Sequence, residues 1–357
     1  MVARLIIFCI AAYPALVSGV TIADYATHAF NPGNGEQFEI PVIPEEAGTL
    51  VVVITTADGD KVKRLETTVP DSAVGKRVVV KWNGRDANNE VVPDEAYVPV
   101  VIMNGETVNS PAEYSGGEVI EGMKPDFSSK GVISFRLDQP SRILIRAGIR
   151  GGPLMRTIAN WDPRAPGKNI VRWDGYDKDG IVNLMEEPAL GVLLTGFRLP
   201  DHSIITLGSD KDYSKWRAAH GWPDQMPHPE SVVLQRNGER LSRHFYLPRI
   251  VEREPKLHLK VNNEPVGDQS VSIDGPFTIT VDLDSTDQWA MDQSQYEVAF
   301  FINGEFVAEE EQGYVPLKWR WNPVGLEPGK HTLTVNVSSF NGAVGVRTVE
   351  FITNADR

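Results

Sequence analysis

The 357-residue chain has a single cysteine, Cys9. It lies inside "LIIFCIAAYPALVSGV", the only apolar run that approaches membrane length. Arg4 precedes this run, and Val17, Ser18 and Gly19 close it. A positive start, an apolar stretch short for a membrane span and a small-residue exit read as a secretory signal peptide over residues 1–19. Its removal leaves a chain without thiols. That excludes disulfides, c-type haem attachment and an iron–sulfur cluster held by the chain's own cysteines. The apolar run has no cysteine at its exit, which argues against a lipoprotein anchor. With no second long apolar run, the sequence predicts no transmembrane segment after signal removal.

Positive charge is also in short supply. Lys and Arg number 35 against 48 Asp and Glu, a formal net charge of −13 that becomes −14 once Arg4 leaves. Such acidity argues against nucleic acid and against direct docking on anionic lipid. Catalytic signatures are absent as well. There is no His-x-x-x-His or His-Glu-x-x-His pair, no Gly-x-Ser-x-Gly elbow, no Gly-rich phosphate loop and no cysteine nucleophile. The sequence therefore predicts a non-enzymatic protein without a cofactor.

Turn formers, by contrast, are plentiful: 31 Gly and 25 Pro. Four Asn-Gly pairs, at Asn104, Asn237, Asn303 and Asn341, each sit between apolar runs. Both central residues of a type I′ hairpin turn need a positive φ, which Asn-Gly supplies at low cost. Short alternating strands with turn signals every 8–12 residues or so are the pattern of β-sandwiches.

The chain also repeats itself. "VKWNGRDANNE" from Val80 returns as "VRWDGYDKDGI" from Val171, with Trp82, Gly84 and Asp86 matching Trp173, Gly175 and Asp177. Upstream, "GTLVVVITTADGDKVKRL" and "SRILIRAGIRGGPLMRTI" repeat a strand, a polar turn and a basic-apolar strand. These periods divide the mature chain into a first unit over 20–115 and a second over 116–208. A third unit over 255–357 has six strand candidates but no Trp-Asx-Gly turn. In its "PLKWRW", period two puts Trp319 and Trp321 on the core face and Lys318 and Arg320 on the other. The expected fold class is all-β, three tandem immunoglobulin-like β-sandwiches.

The motifs of the first unit, with Asp58-Gly59, Leu65, Trp82, Gly84, Asp86 and Tyr97, resemble the immunoglobulin-like domain of the flagellar hook-capping protein. The second unit keeps Trp173, Asp174, Gly175, Asp177 and Gly180 but has no Tyr in "PALGVLL". The resemblance covers about half the chain and implies the fold, a module found in many secreted and surface proteins. It does not imply hook assembly, since the export and hook-binding part of that protein is missing here.

Two groups of carboxylates invite a calcium reading: Asp174, Asp177 and Asp179 in the second turn, and Asp282, Asp284 and Asp287 in "DLDSTDQWAMDQ". The first lacks the downstream Glu of an EF-hand loop. The second reads as a solvated acidic loop at a strand end. The favoured reading is scaffold turns without metal.

The segment 209–254 fits neither repeat. It reads as an aromatic and basic connector with a hairpin, and Trp216, Trp222, Arg236, Arg240 and Arg243 are the expected partner anchors, since aromatics with Arg mark interfaces. The chain is thus expected to be an exported structural or adhesive scaffold in the periplasm, at the cell surface or secreted. Its expected partners are envelope or extracellular proteins. A carbohydrate-binding surface protein and an accessory subunit of an envelope enzyme or electron-transfer complex are the rival readings.

Overall fold

The computed structural model describes residues 20–354 other than 129, 225, 268 and 269. The expected signal peptide lies outside the described residues. Among those described, no helix is long and apolar enough to cross a membrane. The chain is all-β, built from tandem sandwich-like pairs of sheets.

The first unit comprises β1 (Val20–Ile22), β2 (Ala29–Phe30), β3 (Phe38–Pro44), β4 (Gly48–Thr55), β5 (Lys61–Val69), β6 (Val78–Trp82), β7 (Ala96–Met103) and β8 (Glu106–Asn109). A short helix, α1 (Pro111–Tyr114), follows. One sheet runs β1-β3-β6. The alternation of β4 sends Leu50, Val52 and Ile54 inward to meet Ile40, Val42 and Trp82 from that sheet.

The second unit comprises β9 (Asp126–Ser128), β10 (Val132–Leu137), β11 (Ser141–Ile149), β12 (Leu154–Arg164), β13 (Gly167–Arg172) and β14 (Leu190–Arg198). Its sheets run β13-β10-β9 and β12-β11-β14. After β14 the chain departs from the expected division at 208. Strand β15 (Ile204–Thr206) returns to the first unit, pairing with β7 antiparallel and with β2 parallel. The facing sheet of the first unit is therefore β2-β15-β7-β4-β5, with β8 on β7. Ile204 lies in the first core, which explains the return: the strand buries more there than it could as a tether.

The connector continues on the first unit as helix α2 (Tyr213–Ala219), then forms a two-stranded hairpin, β16 (Gln235–Arg236) and β17 (Glu239–Arg240). The third unit comprises β18 (Leu257–Val261), β19 (Glu264–Pro265), β20 (Val271–Ile273), β21 (Phe277–Leu283), helix α3 (Ser285–Asp292), β22 (Tyr296–Ile302), β23 (Glu305–Glu310), β24 (Leu317–Trp321), β25 (Gly329–Ser339) and β26 (Val344–Thr353). Its sheets run β19-β18-β21-β24 and β20-β26-β25-β22-β23. Trp319 and Trp321 pack against the core from β24, while Lys318 and Arg320 are exposed. The expected acidic loop is instead α3, whose Ala290 and Met291 are buried.

Of the four Asn-Gly pairs set between apolar runs, three have positive φ at both residues: Asn104 (51°), Asn237 (51°) and Asn303 (51°), each followed by a positive glycine. At the fourth only Gly342 is positive. There the Ser339 hydroxyl bonds the Asn341 side chain and backbone instead, forming a different turn.

Candidate functional site

The two repeated turns share one internal wiring. Trp82 Nε1 donates to the Arg85 carbonyl at 3.0 Å, and Trp173 Nε1 to the Tyr176 carbonyl at 2.8 Å. Both indoles are buried, Trp82 completely. Asp86 Oδ1 accepts the Glu90 amide at 2.9 Å. Asp177 Oδ1 accepts the amides of Ile181 (2.6 Å) and Val182 (2.9 Å). Gly84 and Gly175 are obligatory: both have positive φ, and a Cβ would strike Pro32 at 2.4 Å and Met185 at 2.5 Å respectively.

The second carboxylate oxygen distinguishes the copies. Asp86 Oδ2 accepts Trp216 Nε1 at 3.1 Å and lies 3.1 Å from His220 Nε2. Asp177 Oδ2 is buried with no hydrogen-bond partner among the described residues. Asp212 caps α2 by accepting the Lys215 amide, which aims Tyr213, Trp216, Arg217 and His220 at the first unit. Trp216 is buried in the first core, and Trp222 and His220 stack at 4.5 Å beside it. These aromatics are internal to the first unit, which corrects the expectation of Trp216 as a partner anchor. Burying the indole on Trp82's sandwich outweighs leaving it on a loop.

The Asp58-Gly59-Asp60 turn forms a second seat. Asp58 Oδ2 accepts the Tyr213 hydroxyl at 2.9 Å, and Asp58 Oδ1 the Arg249 amide at 3.1 Å. Arg217 Nε donates to Asp60 Oδ2 at 2.8 Å, and its far nitrogens reach Asp224 and the Pro223 carbonyl. Burial pushes the Asp58 carboxyl up, opposed by the Arg249 amide and the Arg217 charge.

A buried ionic cluster lies deeper, where the first two units meet the connector. Glu95 Oε1 contacts Arg142 Nη2 at 2.7 Å, and Glu95 Oε2 accepts from Arg249 Nε at 3.1 Å. Arg249 also donates to Glu252 at 3.2 Å, whose other oxygen lies 2.6 Å from His244 Nδ1. The Glu252 carbonyl accepts from the Asn160 amide side chain at 2.6 Å, and the Trp161 carbonyl from Arg142 at 3.1 Å. Burial pushes Glu95 upward, but Arg142 and Arg249 outweigh it and hold the carboxyl below its ordinary range. Arg249 is pulled down by burial and raised further by Glu95 and Glu252, so it stays charged.

Around this cluster opens a cleft of about 810 Å³, lined by Val98 and Val100 of β7, Arg142, Leu199, Met226 and Arg249. Its ionic groups already face one another. The cleft can seat apolar side chains, and the carboxylates among its described lining residues, Asp58 and Asp60, both accept hydrogen bonds from the connector.

The remaining sequence candidates are dispersed. Arg236 bonds Glu118 and the Gly116 carbonyl, and Arg240 pairs with Glu121 at 2.9 Å, so the hairpin's basic side faces the 116–121 segment. Arg243 is exposed. Asp174 Oδ1 accepts the Tyr176 amide at 3.1 Å. Asp179 pairs with Arg347 and accepts the Thr348 amide at 2.6 Å, fastening the second turn to β26. Asp282 accepts the Leu283 amide, Asp284 lies 2.6 Å from His258 Nε2, and Asp287 accepts the Lys256 amide and contacts Arg253 at 2.8 Å. Among the described residues, no three His, Cys, Asp or Glu are gathered in a metal-holding arrangement. The Glu95 cluster escaped the sequence reading because its members are scattered singly from 95 to 252. The α2 face did carry a signal, since 213, 216, 217 and 220 are spaced for one side of a helix.

No family model matches the chain, and no curated protein matches it. Solved structures that the chain matches include the CbhA fibronectin(III)-like modules of Clostridium thermocellum, 10% identical over 94% of both chains, with a TM-score of 0.21. A Ca²⁺-stabilized adhesin that helps an Antarctic bacterium bind ice is 13% identical over 94% of this chain and 74% of its own, at 0.18. Trypsin-activated alpha-2-macroglobulin from Escherichia coli is 10% identical over 98% of this chain and 24% of its own, at 0.20. At such TM-scores these likenesses carry no argument, and the fold class stands on the sheets described above.

Proposed function

We propose that the chain is an exported, non-enzymatic structural or adhesive protein, a scaffold of three immunoglobulin-like units that holds protein partners at the cell envelope or surface. The Glu95–Arg142–Arg249–Glu252 cluster is the observation that carries this reading. Burying ion pairs generally gains no stability over apolar packing, yet breaking one is costly, and we read this cluster as acting on the geometry of the junction. Here the cluster ties both repeats to the connector. The second and third units are tied in a similar way: the Asn336 side chain bonds both the amide and the carbonyl of Leu154 at 2.8 Å, like a missing strand. A chain of loosely strung modules would need neither device.

The reading divides the chain at about 115, 208 and 254, with β15 and α2 completing the first unit from a distance. The shared turn supports the hook-capping type of domain for the first two units, and the opening nineteen residues support export. Arg240 and Arg243, exposed on the connector, are the remaining partner contacts there.

Small-angle scattering of the mature chain, with native co-purification from the envelope, tests the proposal. A single rigid particle recovered with a protein partner is the expected result. A profile that fits only freely jointed modules, or turnover of a substrate by the purified chain, would overturn it.

A further inference from the structure

We infer that two copies of this chain join through the β23 and β24 edges of their third units, each acidic edge pairing with the other copy's basic edge. This goes beyond the scaffold reading and does not depend on it. Both strands end their sheets, β23 beside β22 and β24 beside β21. They lie on the same side of the sandwich. β18 and β26, each one strand in from the opposite edge of its sheet, contact each other, while Trp319 of β24 stacks on Phe300 of β22 at 4.4 Å. Among the described residues, no backbone hydrogen bond leaves the outer edge of either strand.

The two edges have opposite charge. β23 presents Glu305, Glu309 and Glu310, and β24 presents Lys318 and Arg320. None of these five is in an ion pair among the described residues. Within one copy the strands belong to different sheets and do not pair. A two-fold axis beside them would set β23 of each copy against β24 of the other, satisfying both edges and both charge sets at once. Two-fold dimers are the commonest symmetric assemblies, and their interfaces are self-complementary in this way.

Edge strands are often protected from association by charges and bulges, and β23 has a bulge opposite Phe300 and Phe301. Protection alone does not explain the apolar surface here. Phe306 on β23 and Tyr314 between the two strands are each 53% exposed. Exposed aromatics beside a charged rim are the composition of an interface.

Sedimentation velocity of the mature chain, at low and high salt, provides the test, with two charge-reversed variants. One carries Glu309→Lys and Glu310→Lys, the other Lys318→Glu and Arg320→Glu. The wild type should sediment at twice the monomer mass and dissociate as salt rises. Each variant alone should be monomeric, since both of its edges then have the same sign. An equimolar mixture should recover the dimer mass, because every basic edge again meets an acidic one. Far-UV circular dichroism checks that each variant folds, and Phe306→Asp, which leaves the existing charges in place, should also give monomer. A monomeric wild type, a dimer untouched by all three variants, or a mixture that stays monomeric would each overturn the inference.

Discussion

The turns at Trp82 and Trp173 were written from one pattern and carry different loads. In each, an indole closes the core and an aspartate Oδ1 gathers backbone amides of the loop. At the first turn Asp86 Oδ2 holds Trp216 from a helix 130 residues away. At the second, Asp177 Oδ2 has no hydrogen-bond partner among the described residues, and the outside load has moved to Asp179, which holds Arg347 and Thr348 of the third unit. The repeated residues thus fix the turn, while the atoms left over after that fixing decide what docks on it. A repeat can build one scaffold twice and attach different neighbours to each copy.

The comparison breaks most visibly at the indoles. Trp→Ala in a core costs roughly 3–5 kcal/mol. Trp82, fully buried between Phe30 and Tyr97, should fall at the top of that range. Trp173, which packs in a smaller cluster against Phe127, should fall at the bottom. Urea unfolding of the two variants measures both, and a larger loss at Trp173 would contradict the ranking. Next come the junctions. Glu95→Ala strands the buried Arg142 and the largely buried Arg249, a loss of about 3–5 kcal/mol. Arg347→Ala at the second junction removes a partly exposed cation but leaves the buried Asp179 with only the Thr348 amide, and should cost less, about 1–3 kcal/mol. Equal midpoint shifts for the two would mean that the first junction is not held by its buried charge.

The sequence carried the strands and the repeat because those signals are local. Period-two alternation identifies β3 and β10, a continuous apolar run identifies β4, and Asn-Gly marks the hairpin at Asn104. What it did not carry is long-range. Nothing within "SIITLGS" distinguishes a strand that closes the second unit from one that returns to β7, since both would bury Ile204. "DSTDQWAMDQ" reads as a polar loop by composition, whereas Ala290 and Met291 one turn beyond Asp287 give α3 a buried side. Glu95, Arg142 and Arg249 look like ordinary surface charges in a chain that has 83 charged residues. Only the fold brings these three together.

A smaller difference should separate the two aspartates. Asp86→Asn retains an oxygen for Glu90 but sets an amide N–H against the Trp216 indole or forces a flip that loses one bond. A hydrogen bond to a charged group is worth about 1.5–3 kcal/mol, and the cost should fall in that range. Asp177→Asn keeps its two amide bonds and removes a buried charge whose other oxygen meets no donor among the described residues. Its cost should stay below about 1 kcal/mol. Limited proteolysis adds a local readout, because only the Asp86 variant should expose the 213–222 segment. Cleavage there in the Asp177 variant would show that the seats are not distinct.

The finest contrast is between the two carboxylates of the first junction, and acid should separate them by sign. Glu95 is held below its ordinary range, so its charge stabilises the fold above the unfolded pKa, and that stability is lost as pH falls through the folded value. Asp58 is raised, so the folded chain binds its proton more readily than the unfolded one. As pH falls toward the ordinary carboxylate range, Asp58 therefore adds stability, before Glu95 takes it away at lower pH. In Asp58→Asn the small gain on mild acidification should vanish while the steep acid limb remains. In Glu95→Gln the steep limb should flatten, from a lower starting stability. Urea midpoints followed from neutral pH downward measure both. If Glu95→Gln keeps the steep limb, the acid sensitivity arises elsewhere, and the buried pair with Arg142 does not govern how the first two units come apart.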